Sequence, residues 1–184
     1  MTLLRWMTRL SDALDQLARW VCAVFVAVMS VLLIAQVFFR YVLQHSLPWS
    51  EEAARYLFVW SSILGASIAL RLHFHPGLTL LVDRLPSRAR VAVNVLAHGL
   101  VLVLLLVVAR EGFQIAQMNA WQRSPAMRIS MTYPYAAVWV GALVMAVHVV
   151  RFLVGDLLVL FGKSGQAGVD GAAATPVVEE RYSS

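Results

Sequence analysis

Residues 20–39 read WVCAVFVAVMSVLLIAQVFF: twenty residues in a row, interrupted only by Ser30 and Gln36. At about 1.5 Å of rise per residue a helix of this length crosses the roughly 30 Å hydrocarbon core of a bilayer. A second such stretch, Val91–Ala109, contains only Asn94 and His98 as polar interruptions. Two shorter runs, Tyr56–Leu70 and Tyr135–Val150, reach the same length once interfacial residues are added to their ends. For the former, Ser50 is the expected N-cap, Glu51 and Glu52 suit the positive end of the helix dipole, and Arg71 closes the run.

Composition agrees. Apolar residues make up 60% of the 184 and charged residues 14%, with a mean hydropathy of +0.73; a soluble domain carries roughly a quarter charged residues. The chain is therefore expected to be an all-α integral membrane protein with four transmembrane helices in residues 20–162. The single cysteine, Cys22, precludes an intrachain disulfide framework. A net charge of +5 points to topology rather than to nucleic acid. Ten of the fifteen Arg and Lys residues fall on the side of the N-terminus and five on the other, which places both termini in the cytoplasm.

Ahead of the first span, Leu3, Met7, Leu10, Leu14 and Leu17 recur at steps of four and three, with Arg5, Arg9, Asp12, Asp15 and Arg19 on other faces. That pattern predicts an N-terminal amphipathic interfacial helix over residues 1–19; a helix pairing with another helix would use the same stripe. The acidic residues in this segment and the Gln-Val-Phe-Phe-Arg sequence after the apolar run do not fit a cleaved secretory signal. Residues 163–184, rich in Gly, Ala and Ser, are expected to form a disordered cytoplasmic tail.

Chemistry is sparse. An ion-coupled carrier in a small bundle needs a carboxylate within the membrane, yet Glu51, Glu52, Glu111 and Asp156 fall at span ends and Asp83 in a loop. His98 and His148 would lie at similar depth on two helices, so a b-type haem anchor subunit of a respiratory complex is the alternative to weigh. Against it, each histidine could simply hydrogen-bond a neighbour. His73 and His75 lack the partners a metal site requires, and the serines on the second span have no histidine beside them to act as a base. No cofactor, metal or enzymatic activity is expected.

One cluster exceeds what anchoring needs. Pro48-Trp49-Ser50-Glu51-Glu52-Ala53-Ala54-Arg55-Tyr56 puts two adjacent acids and two aromatics at a helix mouth, with Arg40-Tyr41 before it and Trp60 after it. Glu51 and Arg55 are four apart and can pair along one helix face.

These residues carry a resemblance. Arg40-Tyr41, Trp49-Ser50-Glu51-Glu52, Arg55-Tyr56, Trp60, Gly65, Arg71 and His75, with Ser124-Pro125-Ala126-Met127 before Tyr133, resemble the small membrane (DctQ-type) subunit of tripartite ATP-independent periplasmic (TRAP) transporters over roughly residues 5–160. The resemblance implies a bacterial inner-membrane protein that scaffolds a large membrane transport subunit, which moves organic acids coupled to sodium. It also implies part of the docking surface for a periplasmic solute-binding protein. On that reading Trp49, Glu51, Glu52, Arg55 and Trp60 form the partner interface. Arg71, His75, Arg84, Arg88 and Arg90 contact membrane lipids or the large subunit on the inner side. No residue is expected to touch substrate.

Overall fold

A computed structural model describes residues 2–73 and 87–160, which form four long helices: α1 (Thr2–Tyr41), α2 (Pro48–His73), α3 (Ser87–Met118) and α4 (Thr132–Leu160). All four contain segments long and apolar enough to cross a membrane, so the all-α, four-span architecture stands. The expected tail (163–184), together with His75, Asp83 and Arg84, lies outside the described residues. For reference, the end of the bundle where α1 begins is called the N-terminal end. The opposite end, carrying the α1–α2 and α3–α4 connections, is the loop end.

α1 runs unbroken through Arg19-Trp20, so residues 2–19 continue the first span as one helix. Their polar face turns into the bundle: Ser11, Asp15 and Ala18 are buried, while Leu10 and Leu17 are exposed. An amphipathic segment packed beside other helices satisfies its polar groups against protein and leaves its apolar stripe outside.

The α1–α2 connection closes on Gln44, whose φ of 51° is left-handed, and the His45 N–H donates to the Phe39 carbonyl at 3.1 Å. α2 then starts at Pro48 rather than being capped by Ser50. Proline's fixed φ and missing N–H suit the first helical position, and the Ser50 hydroxyl instead donates back to the Leu47 carbonyl at 2.8 Å.

α4 is the hub, packing most extensively on α3, then on α2 and at one end on α1; α1 lies chiefly along α2. The contacts are made by small residues: Ala54, Ser61 and Ser67 on α2, Ala109 and Ala116 on α3, and Ala137, Ala142 and Ala146 on α4 are all buried. Without a hydrophobic driving force between helices in lipid, close backbone approach supplies the packing energy. Gly65, though it neighbours the small residues Ala66 and Ser67, has nothing within 4 Å of where a Cβ would stand. The close approach falls on Gly141 of α4, where a Cβ would meet Ile63 Cγ2 at 1.9 Å.

Candidate partner interface and the two polar clusters

At the loop end the acidic pair divides. Glu51 points outward and meets Arg55 at 3.3 Å, with both side chains more than 60% exposed. Glu52, one residue on and about 100° around the helix, is buried. One of its carboxylate oxygens accepts a hydrogen bond from the Tyr56 hydroxyl, four residues along α2. The other accepts the backbone N–H groups of Ala126 and Met127, each at 2.9 Å. The Ser-Pro-Ala-Met segment thus presents two adjacent N–H groups to a carboxylate from another helix, a concave anion-binding arrangement of backbone amides.

The rest of the α3–α4 connection is built around that anchor. Ser124, buried, accepts the Ile129 N–H on its hydroxyl at 3.3 Å, and its own N–H donates to the Ile129 carbonyl at 2.9 Å. Arg123 and Ser130 pair as an isolated antiparallel bridge, and Arg128 takes a left-handed φ of 55° at the turn between them. On α2, the Trp60 indole N–H donates to the Tyr133 carbonyl at 3.2 Å. This framework holds up an exposed surface on which Trp121 is 93% accessible, flanked by exposed Arg123 and Arg128. Of the five residues expected at the interface, Trp49, Glu51 and Arg55 are exposed. Glu52 and Trp60 bind the neighbouring loop and helix start.

A second cluster lies at the N-terminal end. Arg71 of α2 donates to Asp12 and, at 2.7 Å, to Asp15 of α1. Asp15, buried, also takes Arg19 Nε at 2.8 Å, and Arg151 of α4 stands 3.6 Å from Asp12. Ser11 Oγ and His148 Nδ1 are 2.7 Å apart, both fully buried. A third polar contact joins α3 to α4: His98 Nδ1 and Asp156 Oδ2 are 2.7 Å apart, with the imidazole stacked on Phe152.

Two of the four span-end carboxylates, Glu52 and Asp156, are therefore less peripheral than their sequence positions imply, as is Asp15 ahead of the first span, whereas Glu51 and Glu111 are exposed. Glu52 and Asp15 are buried and Asp156 is half-buried, each bonded to a neighbouring helix or loop. A buried carboxylate so engaged ties elements together, because freeing it would expose a charge without a partner. The sequence signal for Asp12 and Asp15 was their one-sided position among apolar steps; that Arg71, more than fifty residues away, would reach them was not legible. Arg71 is thus engaged within the chain, Arg90 is half-buried on α3, and Arg88 lies in the first turn of that helix. Among the described residues no group of three or more His, Cys, Asp or Glu side chains is placed to hold a metal ion.

The described residues thus form a bundle of four helices long and apolar enough to span a membrane, whose acids and arginines tie helices to one another, with exposed Trp121 on a braced surface at one end. Comparison with known proteins narrows the class. The family described as "Tripartite ATP-independent periplasmic transporters, DctQ component" matches residues 29–159, and the chain belongs to that family. Its members are transporter subunits and not enzymes. The chain is 31% identical over 85 residues to the C4-dicarboxylate TRAP transporter small permease protein DctQ of Vibrio cholerae, covering 46% of this chain but only 37% of that one. It is 29% identical to the sialic acid TRAP transporter small permease protein SiaQ of Vibrio cholerae, over 71% of this chain and 75% of the relative. It also matches the sialic acid TRAP transporter permease protein SiaT of Haemophilus influenzae at 30% identity, over 72% of this chain and 21% of that much longer one.

Proposed function

We propose that this chain is the small, non-translocating subunit of a sodium-coupled TRAP transporter for an organic acid. It holds a large membrane transport subunit in place and offers part of the docking surface for a periplasmic solute-binding protein. Both termini are then cytoplasmic and the loop end faces the periplasm. Small permease relatives named for C4-dicarboxylate and for sialic acid support the organic-acid class. The match to a fifth of a longer permease chain supports permanent residence beside a large subunit.

The observation that carries this reading is the surface braced by Glu52. Its carboxylate fixes the Ala126-Met127 backbone, and next to it stand exposed Trp121, Arg123 and Arg128. Trp and Arg are the side chains that concentrate binding energy at protein interfaces. Trp49, Glu51 and Arg55 extend that surface along α2, while Glu52 and Trp60 hold its supporting framework. Arg90, half-buried near the start of α3, would contact anionic headgroups or the large subunit.

The test is a detergent pull-down of the tagged chain from its native membrane, with mass spectrometry of the eluate and uptake assays in the same strain. A stoichiometric large membrane protein is expected. Trp121→Ala and Arg123→Ala should reduce uptake while leaving that partner bound. Recovery of the chain alone would overturn the assignment.

A further inference from the structure

Contacts between the helices fix which residues share a height along the bundle. Cys22 of α1 donates from Sγ to the Ser61 carbonyl of α2 at 3.6 Å. Two residues along α2 from there, Ile63 fills the space beside Gly141 of α4. Trp139, two residues before Gly141, packs on Gly112 of α3 and meets the Phe113 ring edge-on at 5.5 Å. Cys22, Ser61, Trp139 and Gly112 therefore stand level with one another.

The apolar stretches do not. At this height the stretch on α1 (20–39) has barely begun, those on α2 (56–70) and α4 (135–150) are near their middles, and that on α3 (91–109) has already ended. Toward the loop end the α1 stretch continues for 17 residues beyond Cys22, whereas the α3 stretch stops three residues short of Gly112. A difference of roughly 20 residues is an axial stagger of about 30 Å, a whole hydrocarbon thickness. Since α1 packs on α2, α2 on α4 and α4 on α3, α1 and α3 are separated laterally by no more than three helix spacings of about 9 Å.

We propose that the bilayer crosses this bundle obliquely, so that the lipid-contacting belt lies toward the loop end on α1 and toward the N-terminal end on α3. The helix axes then incline well beyond the average of about 20°. The proposal rests only on the chain spanning a bilayer, whichever end is cytoplasmic and whatever partners it assembles with.

Exposed polar groups carry the argument. Arg110 and Glu111 of α3 stand at the mid-span height of α2 and α4 with side chains 76% and 51% exposed, and Gln114 and Gln117 follow on open positions. Level with these four, α1 exposes Val24, Val26 and Val28. Nine residues toward the N-terminal end the relation inverts, where Ala13 of α1 is level with Val103 of α3. There α1 exposes Arg9, Asp12 and Gln16, and α3 exposes Leu100, Val103 and Leu104. An upright bundle would hold one polar set or the other against hydrocarbon, where exposed charge is costly. An inclined bundle gives water to both. Helices of 26 to 40 residues have the length for it, since an upright crossing needs only about 20. The arginines at the stretch ends, Arg19, Arg40, Arg90 and Arg110, can extend from inclined helices to the headgroups. At the loop end the inclination lifts the last turns of α3, and with them Trp121, clear of the bilayer.

The test uses the full chain carrying Cys22→Ala, reconstituted in lipid nanodiscs that leave both faces open to a charged, water-soluble maleimide. Single cysteines are introduced at two pairs of level positions. Gln117→Cys should react at least about tenfold faster than Val28→Cys, and Ala13→Cys at least about tenfold faster than Val103→Cys, because hydrocarbon excludes both the reagent and the thiolate. Equal rates within either pair would overturn the proposal, since positions at one height of an upright bundle share one depth. Should a variant fail to fold, polarised infrared dichroism of the unaltered chain in oriented bilayers reads the mean helix tilt. A tilt above about 30° is expected; a value of about 20° or less, ordinary for membrane helices, would sink the idea.

Discussion

The carboxylate of Glu52 lies 2.9 Å from the backbone nitrogen of Met127, across 75 residues of sequence. Glu51, its immediate neighbour, reaches only Arg55 in the open. Two identical side chains thus do unlike work: one fixes the α3–α4 connection, the other decorates the surface.

Glu52→Gln removes the negative charge that two backbone N–H groups and the Tyr56 hydroxyl address. Limited trypsin digestion after Arg123 and Arg128 should accelerate about tenfold, the change in open population expected when a charge-assisted hydrogen bond is lost. Glu51→Gln should stay within about twofold of the unaltered chain, since exposed ion pairs contribute little. Equal sensitivity of the two variants would mean the loop is held by something else.

Arg71→Ala leaves the buried carboxylate of Asp15 with Arg19 as its remaining cationic partner and takes a guanidinium from Asp12. Unfolding in detergent should be easier by about 3 kcal/mol, as for other broken buried pairs. Combining Arg71→Met with Asp15→Leu should recover most of that loss, because an apolar pair of similar volume removes the buried carboxylate that Arg19 alone would be left to balance.

Gly141→Ala drives a methyl into Ile63 and should destabilise the α2–α4 contact by about 1–3 kcal/mol. Gly65→Ala, which meets nothing within 4 Å, should fall within about 0.5 kcal/mol of the parent. Thermal melts of the two variants, measured side by side, check the pair.

The purified chain should be colourless. His98 and His148 are each drawn to a separate partner, Asp156 and Ser11, and membership in a transporter-subunit family displaces the haem-anchor reading. A Soret band that disappears in His98→Leu or His148→Leu would restore it.

Much of this protein was legible without coordinates. The run from Trp20 to Phe39 and its three counterparts required membrane-spanning helices, because length and hydropathy are local properties of the chain. The Trp-Ser-Glu-Glu block pointed to the family. The sequence also showed that Glu51 and Arg55 would pair, since four-residue spacing on a helix is enough to predict it.

Only the tertiary structure decided how the remaining charges are spent. Whether Glu52 faces the bundle or the solvent depends on the rotation of α2 about its axis. Whether Arg71 meets Asp12 and Asp15 depends on the vertical register of α2 against α1. Both are set by how small residues let helices approach, as the close contact at Gly141 and the open space beside Gly65 illustrate. Periodicity along one helix carries no record of the helix beside it. The sequence thus determined the spans, while packing between them determined which acids are buried and what holds them.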